Sequence, residues 1–146
     1  MKLTTTAEIP AARERVFAAL VDPETLRQCI PGCEQLVAAG DDVFDATLRI
    51  GVAGLKGTYL GRAELRDKQP PAAFSIRFDG KGGSSLVRGV AAIRLSGEGE
   101  TTRVECDADV QVGGVIAAIG SRLVDATARK LAADFFRRLA EILART

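Results

Sequence analysis

An α+β fold, in which a curved antiparallel sheet of seven strands wraps a long C-terminal helix, follows from three features of this 146-residue chain. Apolar or small residues recur at Gly120, Val124, Ala128, Leu131, Phe135, Leu139 and Ile142. That helical spacing makes Val115 to Arg145 one amphipathic helix, about 45 Å long at 1.5 Å per residue. Ahead of it run segments that alternate apolar and polar residues, separated by Gly- and Pro-rich turns. Two short helical stretches, both placed directly after the first strand, complete the pattern.

The elements follow in order. Lys2 to Ile9 alternates Leu3, Thr5, Ala7 and Ile9 against polar neighbours, which is a strand ended by Pro10. Ala12 to Leu20 carries Val16, Phe17 and Leu20 at helical spacing. Asp22-Pro23 then caps a second helix running to about Cys29, with proline at its first position, and Pro31-Gly32 stops it. Six strands come next: Cys33 to Ala39, Val43 to Ile50, Leu55 to Asp67, Ala72 to Asp79, Ser85 to Ser96 and Thr101 to Val112. Gly40-Asp41, Gly51 to Gly54, Pro70-Pro71, Gly80 to Gly83 and Gly97 to Glu100 separate them, and Gly113-Gly114 breaks the last strand from the helix. No linker, repeat or charge block divides the chain, so residues 1–146 read as one domain, large enough to bury its own core. Strand, two short helices, six meandering strands and one long helix is the helix-grip arrangement. Its short connections favour sequential antiparallel pairing.

Composition narrows the function. With 20 basic and 19 acidic residues the net charge is +1, and six Phe, one Tyr and no Trp leave few stacking platforms. Nucleic acid is therefore not the expected partner. No apolar run approaches a membrane span, and no signal-like segment precedes the first strand, so the expected location is the cytoplasm. Histidine is absent, which excludes Ser-His-Asp and Cys-His machinery and the usual catalytic zinc sites. Cys29 and Cys33 lie in Cys-Ile-Pro-Gly-Cys and Cys106 on the apolar side of a strand. A fourth strong metal ligand is missing and a cytoplasmic disulfide is disfavoured, so small buried residues at a tight turn are expected, with a redox pair as the alternative. Neither glycine-rich stretch is a nucleotide loop: Gly51 to Thr58 misplaces the second glycine and the lysine, and Gly80 to Ser85 precedes a strand. Lys81 is an exposed turn residue that could meet a ligand at a pocket mouth.

Alternation assigns the sheet faces. Phe44, Ala46, Leu48 and Ile50 face the helix, as do Gly57, Tyr59, Gly61, Ala63 and Leu65, then Phe74, Ile76 and Phe78. Val87, Gly89, Ala91, Ile93 and Leu95 follow, with Val104, Cys106, Ala108 and Val110. The opposite face carries charges such as Asp45, Arg62, Glu64, Arg66, Arg94, Glu105 and Asp107, the mark of a solvated face. Leu131 and Phe135 should seal the helix against Val16, Phe17 and Leu20. Several inward positions are small where a dense core needs volume. Either the glycines relieve strain in a bent sheet and the helix packs down, or a cavity remains. The cavity would be lined by Phe44, Leu48, Tyr59, Gly61, Phe74, Phe78 and Ala91, with Ile116, Gly120, Leu123 and Val124 from the helix.

Four segments carry a resemblance that bears on this choice. They are Ile9-Pro10-Ala11 with Arg13 to Leu20 and Asp22-Pro23-Glu24; Cys29 to Glu34; Leu55 to Tyr59 after Gly51; and Gly113-Gly114 leading to Ile119 to Leu123 and Lys130 to Phe136. In this order they resemble the CoxG family, the G subunit of carbon monoxide dehydrogenase, within the helix-grip superfamily of START-like and Bet v 1-like ligand-binding proteins (SRPBCC).

The resemblance implies a non-enzymatic accessory protein of molybdenum-containing CO dehydrogenase-type hydroxylases, which helps attach such an enzyme to the cytoplasmic membrane. Longer members carry a C-terminal membrane-associating extension, and this sequence stops at Thr146, so only peripheral contact with the inner face is expected. The apolar ligand would be a lipid or an isoprenoid quinone, with no cofactor. A recruitment or assembly factor with a filled interior is the alternative. A helix-grip hydrolase or cyclase comes last, because Asp125, Asp134 and Glu141 fall on the polar side of the helix and Glu64 on the outer sheet face.

Overall fold

The computed structural model describes residues 1–51 and 56–145. β1 (Lys2–Ile9) leads into α1 (Arg13–Leu20) and α2 (Pro23–Cys29). Then come β2 (Cys33–Gly40), β3 (Val43–Ile50), β4 (Gly57–Gln69), β5 (Ala73–Gly82), β6 (Ser85–Ser96) and β7 (Thr102–Gly113), followed by α3 (Val115–Ala118) and α4 (Ser121–Ala144). The strands form one seven-stranded sheet in the order β1-β7-β6-β5-β4-β3-β2, with every neighbouring pair antiparallel. This is the helix-grip architecture expected from the alternation. The expected start of β4 at Leu55 and most of the turn at Gly51 to Gly54 lie outside the described residues.

Two elements differ from expectation. β5 does not end at Asp79 but runs to Gly82, because Gly80 and Lys81 keep strand pairing with both β4 and β6. The C-terminal helix is not continuous from Val115. A single turn, α3, is tied to β6 by the Ile116 amide donating to Ser85 Oγ at 3.3 Å, and the chain then breaks at Gly120. Gly120 has φ +98°, a conformation that only glycine adopts without strain, so it separates the helices instead of belonging to the apolar stripe. The continuous helix, α4, has 24 residues and spans about 36 Å.

Local signals explain the other ends. The Asp22 carboxylate accepts from the Thr25 amide at 2.9 Å and caps α2, with Pro23 at its first position. Gly32 holds φ +76° and accepts a hydrogen bond from the Arg49 amide at 2.8 Å. A Cβ there would collide with the Arg49 carbonyl, so glycine at this position lets the α2–β2 turn lie directly on β3.

The core is packed most tightly where α1 and the C-terminal half of α4 meet β1, β6 and β7. Ile9, Val16, Val104 and Leu139 are wholly or almost wholly buried, and the rings of Phe17 and Phe74 meet edge to face at 5.5 Å. Each such side chain contributes about 1.5–3 kcal/mol through removal from water. Thr102 Oγ1 donates to the Ala11 carbonyl at 2.7 Å, which satisfies that buried hydroxyl. Leu139 and Leu143 provide the helix's buried contacts here, while Phe135 packs against them half-buried and Leu131 lies outside this cluster.

The outer face is charged as the alternation requires. Arg62 contacts Asp45 at 2.7 Å, Arg66 contacts Glu64 at 3.0 Å, and Arg94 reaches Asp107 at 2.7 Å and Glu105 at 3.2 Å. These solvated pairs each add little stability. They mark the face turned to water.

Candidate functional site

The register lines up inward-facing residues in rows across the sheet. Phe74, Ile93 and Leu95 belong to the packed end, all below one-tenth exposure. Further along, Leu65, Ile76, Ala91 and Ala108 form a row in which Leu65 and Ala91 are buried and the other two are not. Next come Phe44, Ala63, Phe78, Gly89 and Val110, of which only Phe44 is buried. In the row Ala46, Gly61, Gly80, Val87 and Val112, every residue stays half-buried although all face the helix. Opposite, Ala128, Leu131 and Phe135 of α4 are half-buried between the buried pairs Val124, Thr127 and Leu139, Leu143. Burial therefore decreases toward the middle of the sheet on both walls.

Glycine environments show where side chains fill this region. A Cβ at Gly89 would meet the tip of the Phe78 ring at 2.6 Å, and one at Gly82 would meet the Tyr59 ring at 2.7 Å, so these glycines are seats for aromatic rings. Gly61 and Gly80, paired across β4 and β5, are different. A Cβ at either meets only backbone within 4 Å, at 3.3 Å from the Asp79 carbonyl for Gly61 and 3.6 Å from the Leu60 carbonyl for Gly80. No side chain of the described residues comes that close to either. The space above this pair is the centre of the candidate site.

Beyond it, a second small apolar cluster closes the far end. Tyr59, Ile116 and Val124 are buried together, with Leu48, Ile50, Val87, Val112 and Ile119 packed around them. The residues expected to line the cavity thus divide into groups. Phe44, Phe74 and Ala91 belong to the large core; Leu48, Tyr59, Ile116 and Val124 to the second cluster; Gly61 and Phe78 to the half-open middle. Gly120 and Leu123 are exposed, Leu123 by 42%, because the break at Gly120 turns the start of α4 outward.

An opening of about 230 Å³ lies beside this middle region. Pro31 and Gly32 form its rim on the α2–β2 turn, Arg49 to Gly51 come from the end of β3, and α4 supplies Thr127, Lys130, Leu131 and Asp134. The sequence reading missed these residues. Arg49 and Lys130 look like solvated charges in any alternation count, and only the Gly32 contact with β3 brings Pro31-Gly32 opposite α4. The Asp134 carboxylate is held below the usual carboxylate range, first by its hydrogen bond with Lys130 at 3.2 Å and further by Lys130 and Arg137 charge. A larger, shallower groove of about 440 Å³ lies outside, between Thr5 to Glu8 of β1 and the Arg129 to Ala140 face of α4.

A family model described as CoxG, the G subunit of carbon monoxide dehydrogenase, matches residues 6–144. This chain belongs to the CoxG family. A comparison with curated proteins found no match. Among solved structures, a conserved protein from Geobacillus kaustophilus is similar over 99% of this chain and 96% of its own, with 33% identity and a TM-score of 0.96. A Thermus thermophilus protein aligns over 100% of this chain and 99% of its own at 23% identity, TM-score 0.73. The Zhui aromatase/cyclase of a Streptomyces species aligns over 99% and 94% at 15% identity, TM-score 0.75. The last two likenesses are of fold alone, and the aromatase/cyclase shows that this fold can carry an enzyme. CoxG is by its description a subunit of a larger enzyme.

In this CoxG-family chain Pro31 and Gly32 of the Cys-Ile-Pro-Gly-Cys stretch line the opening, and its cysteines lie outside that lining. Cys29 is fully buried, and burial pushes its thiol up to about 11, while Cys33 is half-buried with its thiol also raised by burial. All cysteines of the described residues are free thiols, and no group of three or more potential metal-ligating side chains gathers among those residues. No helix of the described residues is long and apolar enough to cross a membrane.

Proposed function

We propose that this CoxG-family protein is a non-enzymatic carrier that holds one apolar molecule, a lipid or quinone-like compound, between sheet and helix α4 in support of a molybdenum-containing hydroxylase. One observation carries the reading: inward-facing residues of both walls stay half-buried around Gly61 and Gly80, and no described side chain comes within 4 Å of a Cβ at either position. A packed interior would fill such space with side-chain volume. Apolar walls with few polar groups are what a ligand of this class needs. Membership of the family supports the hydroxylase as the partner.

The carrier acts in the cytoplasm and touches the inner membrane face only peripherally. Leu60, Leu86, Val115 and Leu123 support this, being 42–63% exposed at the end of the molecule where β4 and β6 begin and α3 turns over. Lys81 stands in register between Leu60 and Leu86. Cationic and apolar groups side by side suit an anionic lipid surface.

Mass spectrometry of an organic extract from gently purified protein is the test. The expected result is one apolar species near one equivalent, with a molybdenum enzyme co-purifying from the native source. Empty protein that also takes up no fluorescent apolar dye overturns the carrier reading. It would favour a recruitment factor with a filled interior, a reading to which the ring-filled seats at Gly82 and Gly89 lend support.

A further inference from the structure

We propose that the opening between the α2–β2 turn, the end of β3 and α4 is a head-group site for an amphiphile with an acidic head, a carboxylate or a phosphate monoester, whose chain runs into the sheet–helix space. The inference rests on the carrier reading and specifies its ligand. Three observations meet at this opening.

The first is an unpartnered donor. Thr127 lines the opening and is only 7% exposed, and the hydrogen bonds of the described residues include none to its hydroxyl. Its oxygen keeps some access at the opening, where an incoming oxygen acceptor can take its hydrogen bond in place of water.

Exposed cationic charge at the rim comes second. Arg49 and Lys130 line the opening against a single carboxylate, Asp134. That carboxylate is already engaged by Lys130 at 3.2 Å and approached by Arg137 at 3.7 Å. The nearest acid to Arg49 is Glu34 at 3.9 Å, and both side chains are more than half exposed, so Arg49 is free to turn onto a ligand. Hydrogen bonds from these ionised donors are about twice as strong as neutral ones, and an anionic head adds attraction between opposite charges that an alcohol lacks.

The third observation is continuity. Ile50 and Leu131 form the apolar part of the opening, and Ile50 also packs against the Tyr59, Ile116 and Val124 cluster. A head at the rim therefore has a greasy path inward for its chain.

The experiment uses the whole protein and three probes with one chain and different heads: hexadecanoate, hexadecyl phosphate and hexadecanol. Each competes with a fluorescent apolar dye at pH 8, in the parent protein, in the double variant Arg49→Met with Lys130→Met, and in Thr127→Val. The parent should bind at least one acid about tenfold more tightly than hexadecanol, the ratio expected for one charge-assisted bond. The order of the two acids tells a carboxylate ligand from a phosphate one. The double variant should lose this preference and bind hexadecanol unchanged. Thr127→Val, which keeps the side chain's shape, should weaken the acids several-fold; it also keeps the test valid should the double variant fail to fold. Equal binding of acids and alcohol by the parent, or an acid preference that survives both changes, overturns the head-group site while leaving the carrier reading intact. A parent that takes up neither dye nor any probe overturns both.

Discussion

The two halves of the space under the sheet are built from the same apolar alphabet and reach opposite results. At the α1 end, Phe17 and Phe74 lock edge to face, Leu139 is fully buried, and Ile93, Leu95 and Val104 have almost no exposed surface. Across the middle, Gly61, Gly80, Val87 and Leu131 face one another and stay half-buried. Hydrophobicity does not separate the two halves. The first pairs large side chains with large ones, whereas the second sets small residues together or seats a ring over a glycine. Where the sheet presents only backbone, at Gly61 and Gly80, neither wall is fully buried.

This comparison is open to disruption, starting with the largest effects. Phe74→Ala should cost about 3–5 kcal/mol and Leu139→Ala about 2–5 kcal/mol in chemical denaturation, because both empty a filled site. Leu131→Ala, at the half-open end, should cost only about 1 kcal/mol. Equal losses at Leu131 and Leu139 would mean that the middle is packed like the end.

A smaller effect is expected from alkaline pH. Burial raises the Cys29 thiol to about 11, so the native state keeps a proton that the unfolded chain releases nearer its ordinary value. Folding stability is then fully present below about pH 9 and declines as pH rises toward 11, by at most about 3 kcal/mol. Denaturation midpoints followed against pH should show that decline, and Cys29→Ala should reduce it, leaving the part due to Cys33 and Cys106, whose thiols burial also raises.

Two glycine substitutions sharpen the contrast further. Gly89→Ala should destabilise by about 1–3 kcal/mol, because its Cβ would run into the Phe78 ring and the Asp109 carbonyl. Gly61→Leu has no positive φ to overcome and meets only the Asp79 carbonyl at 3.3 Å, so a cost of about 1 kcal/mol or less is expected. It should nevertheless abolish uptake of an apolar dye. Ala91→Phe is a poorer probe than Gly61→Leu, since Ala91 sits in the packed cluster beside Ile76 and Ala108. Thermal stability measured beside dye binding decides the matter: a stable Gly61→Leu protein that still binds would place the ligand elsewhere.

Much of the sheet's inward face was readable, but unevenly. Tyr59, Leu48 and Phe78 were legible as inward-facing because a strand's side chains alternate faces, whatever lies opposite. Leu123 and Gly120 were misplaced because a helical count assumes an unbroken helix. It does not register that the Gly120 backbone and the Ile116 contact with Ser85 divide the element. Arg49, Thr127 and Lys130 carry no sequence signal at all, since their meeting depends on a turn, a strand end and a helix distant in the chain.

The sequence by itself determined the order of elements, the two faces of the sheet, the charged exterior and the family, all of which rest on local periodicity or on motifs read in line. Tertiary structure alone decided which small residues make room for a ring and which meet only backbone. It also decided which charges gather at the opening. Those outcomes depend on packing between residues far apart in sequence, which local periodicity does not encode.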